Sequence, residues 1–215
     1  MSQQEVTIID FGVNNILSVS RALEKCSALV SVSSDPDFIL KSKKVVFPGI
    51  GAFPNAMKSL ESLGLISTIR DIANSGTPML AICLGMQLLF EESEEFEKTK
   101  GLGVISGTVT TIPDSTTLSK PQKIPHIGWN SIFAPTDQIM WKDTILQNNS
   151  EGEFAYFVHS YRVNPKVTSN TLAVTNYGGH VIPAVIVQEN IIGCQFHPEK
   201  SGEVGLKLLK RFVEC

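Results

Sequence analysis

One cysteine stands where the chain changes from a strand pattern to a helix pattern. Cys83 ends the apolar run "PMLAIC" and is followed by "LGMQLLFEES", which has helical periodicity. The small residues Ala81 and Gly85 permit the tight strand-to-helix turn that presents a nucleophile outward, and the positive end of the helix dipole favours the thiolate. Free cysteines are also among the most buried residues, so this stretch alone favours a core cysteine.

Two further motifs change that interpretation. In "GCQFHPEKS", His197 and Glu199 follow an apolar strand, and Pro198 between them ends regular structure. A histidine there can act as a general base, and a nearby carboxylate can hold its tautomer. In "VVFPGIGAF", Gly49 and Gly51 allow a backbone N–H to turn towards a developing oxyanion. Each motif alone has a structural interpretation, as a packed histidine or an ordinary turn, but together they make the cysteine a candidate nucleophile.

Charge and hydropathy argue against two classes of partner. The 215 residues carry a formal net charge of −3, with 42% apolar and 18% charged residues, and the sequence pI is near 5.8. There is no broad basic footprint for nucleic acid. No apolar run is long enough to cross a bilayer. We therefore expect neither a nucleic-acid nor a membrane partner.

Cysteine usage and the N-terminal residues indicate the compartment. The four cysteines show no C-x-x-C pair and no spacing typical of zinc, so no metal site is predicted. The start "MSQQEVTIIDF" lacks the basic residues and longer apolar core of a secretory signal. We expect a cytoplasmic protein with reduced thiols.

The order of apolar segments predicts the elements that position these residues. In the N-terminal half, strand-like runs alternate with helices expected at Leu17–Lys25, Phe53–Asn74 and Leu84–Glu94, which indicates βαβ units and a parallel sheet. From Gly101 onward the pattern is strand-rich and predicts hairpins in a mixed sheet. A last helix is expected at Gly202–Glu214, packed on the sheet. With no linker or repeat, residues 1–215 are expected to form a single α/β domain.

Three of these motifs carry a family resemblance. In this order, "PGIGAF", "CLGMQ" and "QFHPEKS" resemble the class I, or triad, glutamine amidotransferases. The segments "IDFGVNNILSV", "PHIGWN" and "YFVHSY" are similar to those of the glutaminase subunits of imidazole glycerol phosphate synthases. The resemblance covers Val6 to Phe212 and implies a flavodoxin-like, open and mainly parallel sheet flanked by helices.

The resemblance also implies a catalytic mechanism. Cys83 would be the nucleophile, His197 the general base and acid, and Glu199 the residue that orients the histidine. Hydrolysis of an unactivated carboxamide needs a strong nucleophile and protonation of the departing amine, which a Cys–His pair supplies through a γ-glutamyl thioester. The oxyanion would be stabilised by the N–H groups of Ile50 and Leu84.

The same resemblance implies which residues hold the substrate, L-glutamine. The predicted contacts are the backbone of Gly49 and Gly51, the side chain of Gln87, and the segment His159, Ser160 and Tyr161. Alternating aromatic residues in a strand also serve packing, so His159 and Tyr161 have both interpretations. No cofactor is expected.

The implied partner is a (β/α)₈-barrel synthase subunit that forms a heterodimer with this chain. Ammonia would pass to the barrel's phosphorylated ribonucleotide, giving imidazole glycerol phosphate in histidine biosynthesis. Asn15, Trp129 and Lys200 are expected at the interface. Family members are nearly idle until the partner is loaded, and the Gly-flanked Ile50 peptide is the expected switch.

Departures from the family pattern leave alternatives open. Asn14 replaces a glycine, and Leu17 replaces a frequent basic residue on the side that faces the partner. One alternative is therefore a paralogous glutaminase that supplies ammonia for sugar amidation in surface-polysaccharide biosynthesis. Others are a cysteine peptidase or chaperone on a similar framework, and an interaction subunit without activity. A peptidase, a chaperone or an inactive interaction subunit fits the combined motifs less well than a glutaminase does.

Overall fold

The computed structural model describes residues 4–13, 15–136 and 141–215, so Asn14 lies outside the described residues. The strands are β1 Gln4–Ile9, β2 Ala28–Ser33, β3 Val45–Gly49, β4 Met79–Cys83, β5 Phe90–Ser93, β6 Thr99–Lys100, β7 Ile105–Thr111, β8 His126–Ser131, β9 Phe154–His159, β10 Tyr161–Pro165, β11 Thr171–Tyr177, β12 His180–Gln188 and β13 Ile191–Cys194. The helices are α1 Ile16–Lys25, α2 Pro36–Leu40, α3 Phe53–Ser62, α4 Leu65–Ser75, α5 Leu84–Leu88 and α6 Gly202–Glu214, and 3₁₀ turns span Thr168–Asn170 and Pro198–Lys200.

Among the described residues, the central sheet has seven strands in the order β11-β12-β13-β4-β3-β1-β2. The five strands from β13 to β2 are parallel, whereas β11, β12 and β13 pair antiparallel. The mainly parallel α/β architecture predicted from the sequence is therefore confirmed. The carboxyl ends of β3, β4 and β13 lie side by side, which is the edge where open α/β sheets bind ligands.

Helices cover the central sheet on both faces. Alternate residues of β3 and β4 belong to two apolar layers: Val46 and Leu80 pack with α1 and α6, whereas Val45 and Ala81 pack with α3 and α4. Strands buried on both faces are nearly continuous apolar runs, because neither face meets water. This burial accounts for the uninterrupted apolar sequence that leads to Cys83.

The described ranges also form two smaller sheets beside the central one. A four-stranded sheet has the order β10-β7-β5-β6, and β8 pairs with β9 as an antiparallel ladder. In that ladder Trp129 faces Tyr156 and His126 faces His159. The ladder joins the end of the central sheet through two hydrogen bonds between Phe133 and Val174.

Two predicted helices are shorter than expected. The helix predicted over Phe53–Asn74 is interrupted at Gly64, whose φ of 67° is left-handed, and becomes α3 and α4. The helix predicted over Leu84–Glu94 ends at Leu88, and the chain continues as β5 because Phe90 pairs with β7. The residues from Leu84 to Phe90 are buried on every side, so helical spacing there did not mark one face of a helix. The last helix has the predicted bounds.

The described part of the chain contains no helix with the length and apolar character that a bilayer crossing requires.

The turn after β4 depends on a close backbone approach. A methyl group on Gly85 would overlap the carbonyl oxygen of Phe47, and one on Gly49 would lie 2.9 Å from the nitrogen of Gly85. Only glycine at position 85 lets α5 begin this close to β3. The contact fixes the position of Cys83 relative to the end of β3.

We expect Gly85→Ala to lower the free energy of unfolding by about 3 kcal/mol, because the backbone must separate to accept the methyl group. Denaturant unfolding would measure the change. Gly76→Ala is the matched control: it has a φ of 81° but open space around it, so only backbone strain of about 1–2 kcal/mol is expected. Equal losses in the two variants would contradict the steric explanation.

Candidate active site

Cys83 sits on a strained turn between β4 and α5. Its φ and ψ are 54° and −111°, a conformation that residues other than glycine rarely adopt. It pairs with Gly49 at the end of β3, and the residue is 6% exposed. The strand-to-helix elbow expected from the sequence is present, and Cys83 lines a cavity while it also packs against the core.

His197 and Glu199 follow β13 at the same edge of the sheet. His197 Nδ1 and Glu199 Oε1 are 2.8 Å apart, and the two side chains are 3% and 1% exposed. Asn15 Nδ2 donates a 3.4 Å hydrogen bond to the same carboxylate oxygen. His197 Nε2 is buried without a hydrogen-bond partner in the described ranges. The arrangement holds the imidazole by one nitrogen and leaves the other for proton transfer.

The surroundings of His197 favour the imidazolium. Burial lowers the pKa of His197, but the Cys83 sulfur and the Glu199 carboxylate outweigh burial and raise the pKa to about 10. The histidine is therefore a proton donor at neutral pH.

A cavity of about 300 Å³ brings these groups together. This volume is at the small end of ligand sites and suits an amino acid. The lining residues are Ile50, Gly51, Cys83, Leu84, Gln87, Glu95, Pro125, Val158, His159, Ser160, Tyr161 and His197. Of the predicted substrate contacts, Gly49 does not line the cavity but pairs with Cys83 behind it. The cavity thus combines residues from six separate stretches of sequence.

Glu95 lines the cavity and had no signal in the sequence. It belongs to the acidic segment "EESEEFE", in which nothing distinguishes one carboxylate from the next. In the structure its Oε2 accepts a 2.7 Å hydrogen bond from the N–H of Phe53, at the start of α3. Burial raises the pKa of Glu95 more than this hydrogen bond lowers it. A half-buried carboxylate in a small cavity can bind an ammonium group.

The two predicted oxyanion donors differ in whether their backbone N–H already has an acceptor. Leu84 begins α5, so its N–H has no acceptor within the helix and lies beside Cys83. The N–H of Ile50 instead donates a 3.0 Å hydrogen bond to the carbonyl oxygen of Val13. Gly51 next to it has a φ of 95°. In this structure Ile50 therefore offers no donor to a group bound at the sulfur.

The ring of His159 has no free nitrogen. Its Nδ1 donates to the carbonyl oxygen of Tyr161 at 2.8 Å, and its Nε2 accepts from His126 Nδ1 at 3.0 Å. Burial lowers the pKa of His159 to about 3 and the pKa of His126 to about 4, so both rings are neutral at pH 7. His159 therefore supports the cavity wall, and the tautomers of both rings are set by the Tyr161 carbonyl.

The three residues predicted at a partner interface are not equivalent. Trp129 is 55% exposed on β8, and its ring meets Tyr156 edge-on at 5.9 Å. Lys200 is exposed just beyond the proposed triad. Asn15 is half-buried, and its amide is already engaged with Glu199. The first two residues are available to another protein, whereas Asn15 supports the carboxylate.

The family follows from a direct comparison. The sequence model of the family Glutamine amidotransferase class-I matches residues 7–215. The chain belongs to the class I glutamine amidotransferases. The resemblance inferred from the motifs is therefore confirmed, as is the prediction that the chain is an enzyme of this family.

Relatives of this amidotransferase cover nearly the whole chain. "Imidazole glycerol phosphate synthase subunit HisH 1" of Legionella pneumophila (strain Lens) is 45% identical over 209 residues, covering 97% of this chain and 98% of the relative. "Imidazole glycerol phosphate synthase subunit HisH" of Caldanaerobacter subterraneus is 45% identical over 210 residues, covering 97% of each chain. These similarities place the amidotransferase among relatives of one subfamily.

Solved structures share the fold of this amidotransferase at low sequence identity. A "glutamine amidotransferase" crystal structure has a TM-score of 0.72 and 15% identity, covering 97% of each chain. The "Structure of PurLQS from Thermotoga maritima" has a TM-score of 0.69 and 16% identity, covering 99% of each chain. These comparisons support the fold alone.

In this amidotransferase, we expect Glu199→Gln to lower the pKa of His197 by about one unit or more, because the imidazolium loses its anionic acceptor. An NMR titration of the imidazole nitrogens would measure the pKa. Glu203→Gln, an exposed carboxylate at the start of α6, is the control and should leave that pKa unchanged. An unaltered His197 pKa in the Glu199 variant would show that this carboxylate does not stabilise the imidazolium.

Proposed function

We propose that this chain is a glutaminase subunit that hydrolyses L-glutamine and passes the ammonia to a (β/α)₈-barrel synthase partner making imidazole glycerol phosphate. The observation that carries the proposal is the shared cavity. Cys83 on its strained elbow and His197, held by Glu199 at 2.8 Å, both line it. Cysteine, imidazole and carboxylate in this order are the components of a thiol amidase.

The proposed chemistry runs in two halves. The Cys83 thiolate attacks the side-chain carbonyl carbon of glutamine, and His197 gives its proton to the departing nitrogen, so that the C–N bond breaks and ammonia leaves. The γ-glutamyl thioester remains. His197, now neutral, takes a proton from water as the water oxygen attacks the thioester. The C–S bond breaks, and glutamate and the thiolate are released.

The cavity offers complementary groups for the rest of glutamine. The carboxylate of Glu95 is the proposed partner of the substrate's α-ammonium group, because it is the one acidic side chain among the described cavity residues. Ser160, Tyr161 and the backbone of Gly51 are the proposed contacts of the remaining polar atoms. With these proposed contacts, the side-chain amide of glutamine would lie over the sulfur.

The barrel partner is proposed from the relatives and from the exposed surface. Trp129 and Ile127 project from the same face of β8 and are 55% and 58% exposed. Trp129 pairs with Tyr156, whose carbonyl oxygen accepts a 2.9 Å hydrogen bond from the N–H of His197. A partner on this face, with Lys200 at its margin, would lie next to the point where ammonia is released.

The relatives bear on the pathway and the compartment. The two reported above are both named as subunits of imidazole glycerol phosphate synthase, so the polysaccharide alternative is not favoured. The four cysteines are free, which suits a reducing compartment, and we propose the cytoplasm as the location.

We expect Cys83→Ala to abolish glutamine hydrolysis while the barrel subunit still binds, because the substitution removes only the nucleophile. Glutamate release in the reconstituted complex would measure activity, and gel filtration would measure binding. Cys26→Ala, at a buried thiol near α6, is the control and should stay active. Turnover by the Cys83 variant would contradict the proposed thioester and would leave the chain's role as an interaction subunit open.

We expect glutamine hydrolysis to rise by about 10²- to 10³-fold when the barrel partner binds with its substrate, the value of one oxyanion donor. The reason is the peptide of Ile50, which must leave Val13 to face the sulfur. Steady-state rates with and without the loaded partner test this. If the isolated chain is as fast as the loaded complex, the turned Ile50 peptide is not the resting state that limits the reaction.

A further inference from the structure

Gln195 is a fully buried polar residue between β13 and His197. It is 0% exposed, and its Nε2 lies 3.6 Å from the sulfur of Cys83, within hydrogen-bond distance of sulfur. The catalytic steps above assign this side chain no role. Buried side-chain amides in folded proteins generally have hydrogen-bond partners. The partner of the Gln195 nitrogen is the sulfur of Cys83, so this contact needs an explanation.

The neighbours of Gln195 fix which end of its amide meets the sulfur. The carbonyl oxygen of Tyr161 can only accept, so Gln87 must present its Nε2 there, at 3.1 Å. The same Nε2 lies 3.0 Å from Gln195 Oε1, which accepts its other hydrogen. The remaining Gln195 atom, Nε2, therefore faces Cys83 as a donor. A reversed amide would set two donors against each other.

A donor at this position discriminates between the two forms of the sulfur. A thiolate only accepts hydrogen bonds, and a charged acceptor gains more from a donor than a neutral one does. A thiol can instead donate, and the carbonyl oxygen of Val158 lies 3.9 Å from the sulfur as an acceptor. The Gln195 amide is buried and oriented in advance, so little reorganisation is needed when the sulfur becomes charged.

We propose that Gln195 is a catalytic residue whose side-chain amide stabilises the Cys83 thiolate, with Gln87 holding that amide in the donating orientation. The proposal rests on the proposed role of Cys83 as nucleophile and adds a third group that acts on its sulfur, besides His197 and the start of α5. It also gives Gln87 a function apart from any contact with glutamine.

Two substitutions remove the donor in different ways. Gln195→Met keeps the approximate shape and length but has no N–H. Gln195→Glu keeps an acceptor for Gln87 and is closer in shape to glutamine. Its carboxyl group ionises more readily than a thiol, so it places a negative charge beside the sulfur. A packing role predicts that the Glu variant is the milder one, whereas the proposed role predicts that it is the more severe.

The experiment measures the pH dependence of Cys83 alkylation by iodoacetamide, followed on the Cys83 peptide by mass spectrometry. In Gln195→Met we expect the pH at which alkylation reaches half of its maximal rate, the midpoint, to rise by about one pH unit. We also expect a loss of about tenfold in kcat/KM for glutamine in the complex with the barrel partner. Gln195→Glu should shift the midpoint further. Gln188→Met is the matched control: its amide bonds Val104 and Asn170 away from the cavity, and its midpoint should equal that of the wild type.

Three outcomes would overturn the proposal. The midpoint could stay unchanged in both folded Gln195 variants, it could shift less in the Glu variant than in the Met variant, or it could shift equally in the Gln188 control. Alkylation needs no glutamine turnover, so the test is separate from the proposed function. A wild-type complex that does not hydrolyse glutamine would refute the function, whereas an active wild type with unshifted variants would refute only the role of Gln195.

Discussion

The backbone of Cys83 is held at a φ of 54°, and the rest of the site depends on that single strained residue. Such a conformation costs about 1–3 kcal/mol and persists only where the surroundings impose it. Here the pairing of β4 with β3 and β13 fixes the chain before the turn, and the contact of Gly85 with Phe47 fixes it afterwards. The sulfur is therefore placed by two strands and a helix.

Around the sulfur, only one assignment of donors and acceptors satisfies the buried hydrogen bonds. The Tyr161 carbonyl accepts from both Gln87 and His159, and it thereby sets one amide orientation and one imidazole tautomer. Unmade hydrogen bonds are costly in such a dry environment, so the alternatives are excluded. A single backbone carbonyl thus orders both the wall of the cavity and the proposed donor to Cys83.

The site combines a proposed nucleophile that is already in place with a proposed oxyanion hole that is incomplete. His197, Glu199 and the sulfur are in place, and the raised pKa of His197 means that the imidazole carries a proton that it can donate. The N–H of Ile50, however, is bonded to Val13. The exposed face at Trp129 is connected to His197 through Tyr156, so a partner on that face would lie close to the proposed proton donor.

The sequence by itself predicted the alternation of strands and helices in the N-terminal half apart from β2 and α2, and it indicated the elbow cysteine, the histidine and the carboxylate, because apolar periodicity and small residues are local signals. It did not determine where the helix after Cys83 ends, since the pairing of Phe90 with β7 overrides helical spacing there. Nor did it single out Glu95 or Gln195. Their roles come from partners 42 and 112 residues away, and only tertiary structure brings such residues together.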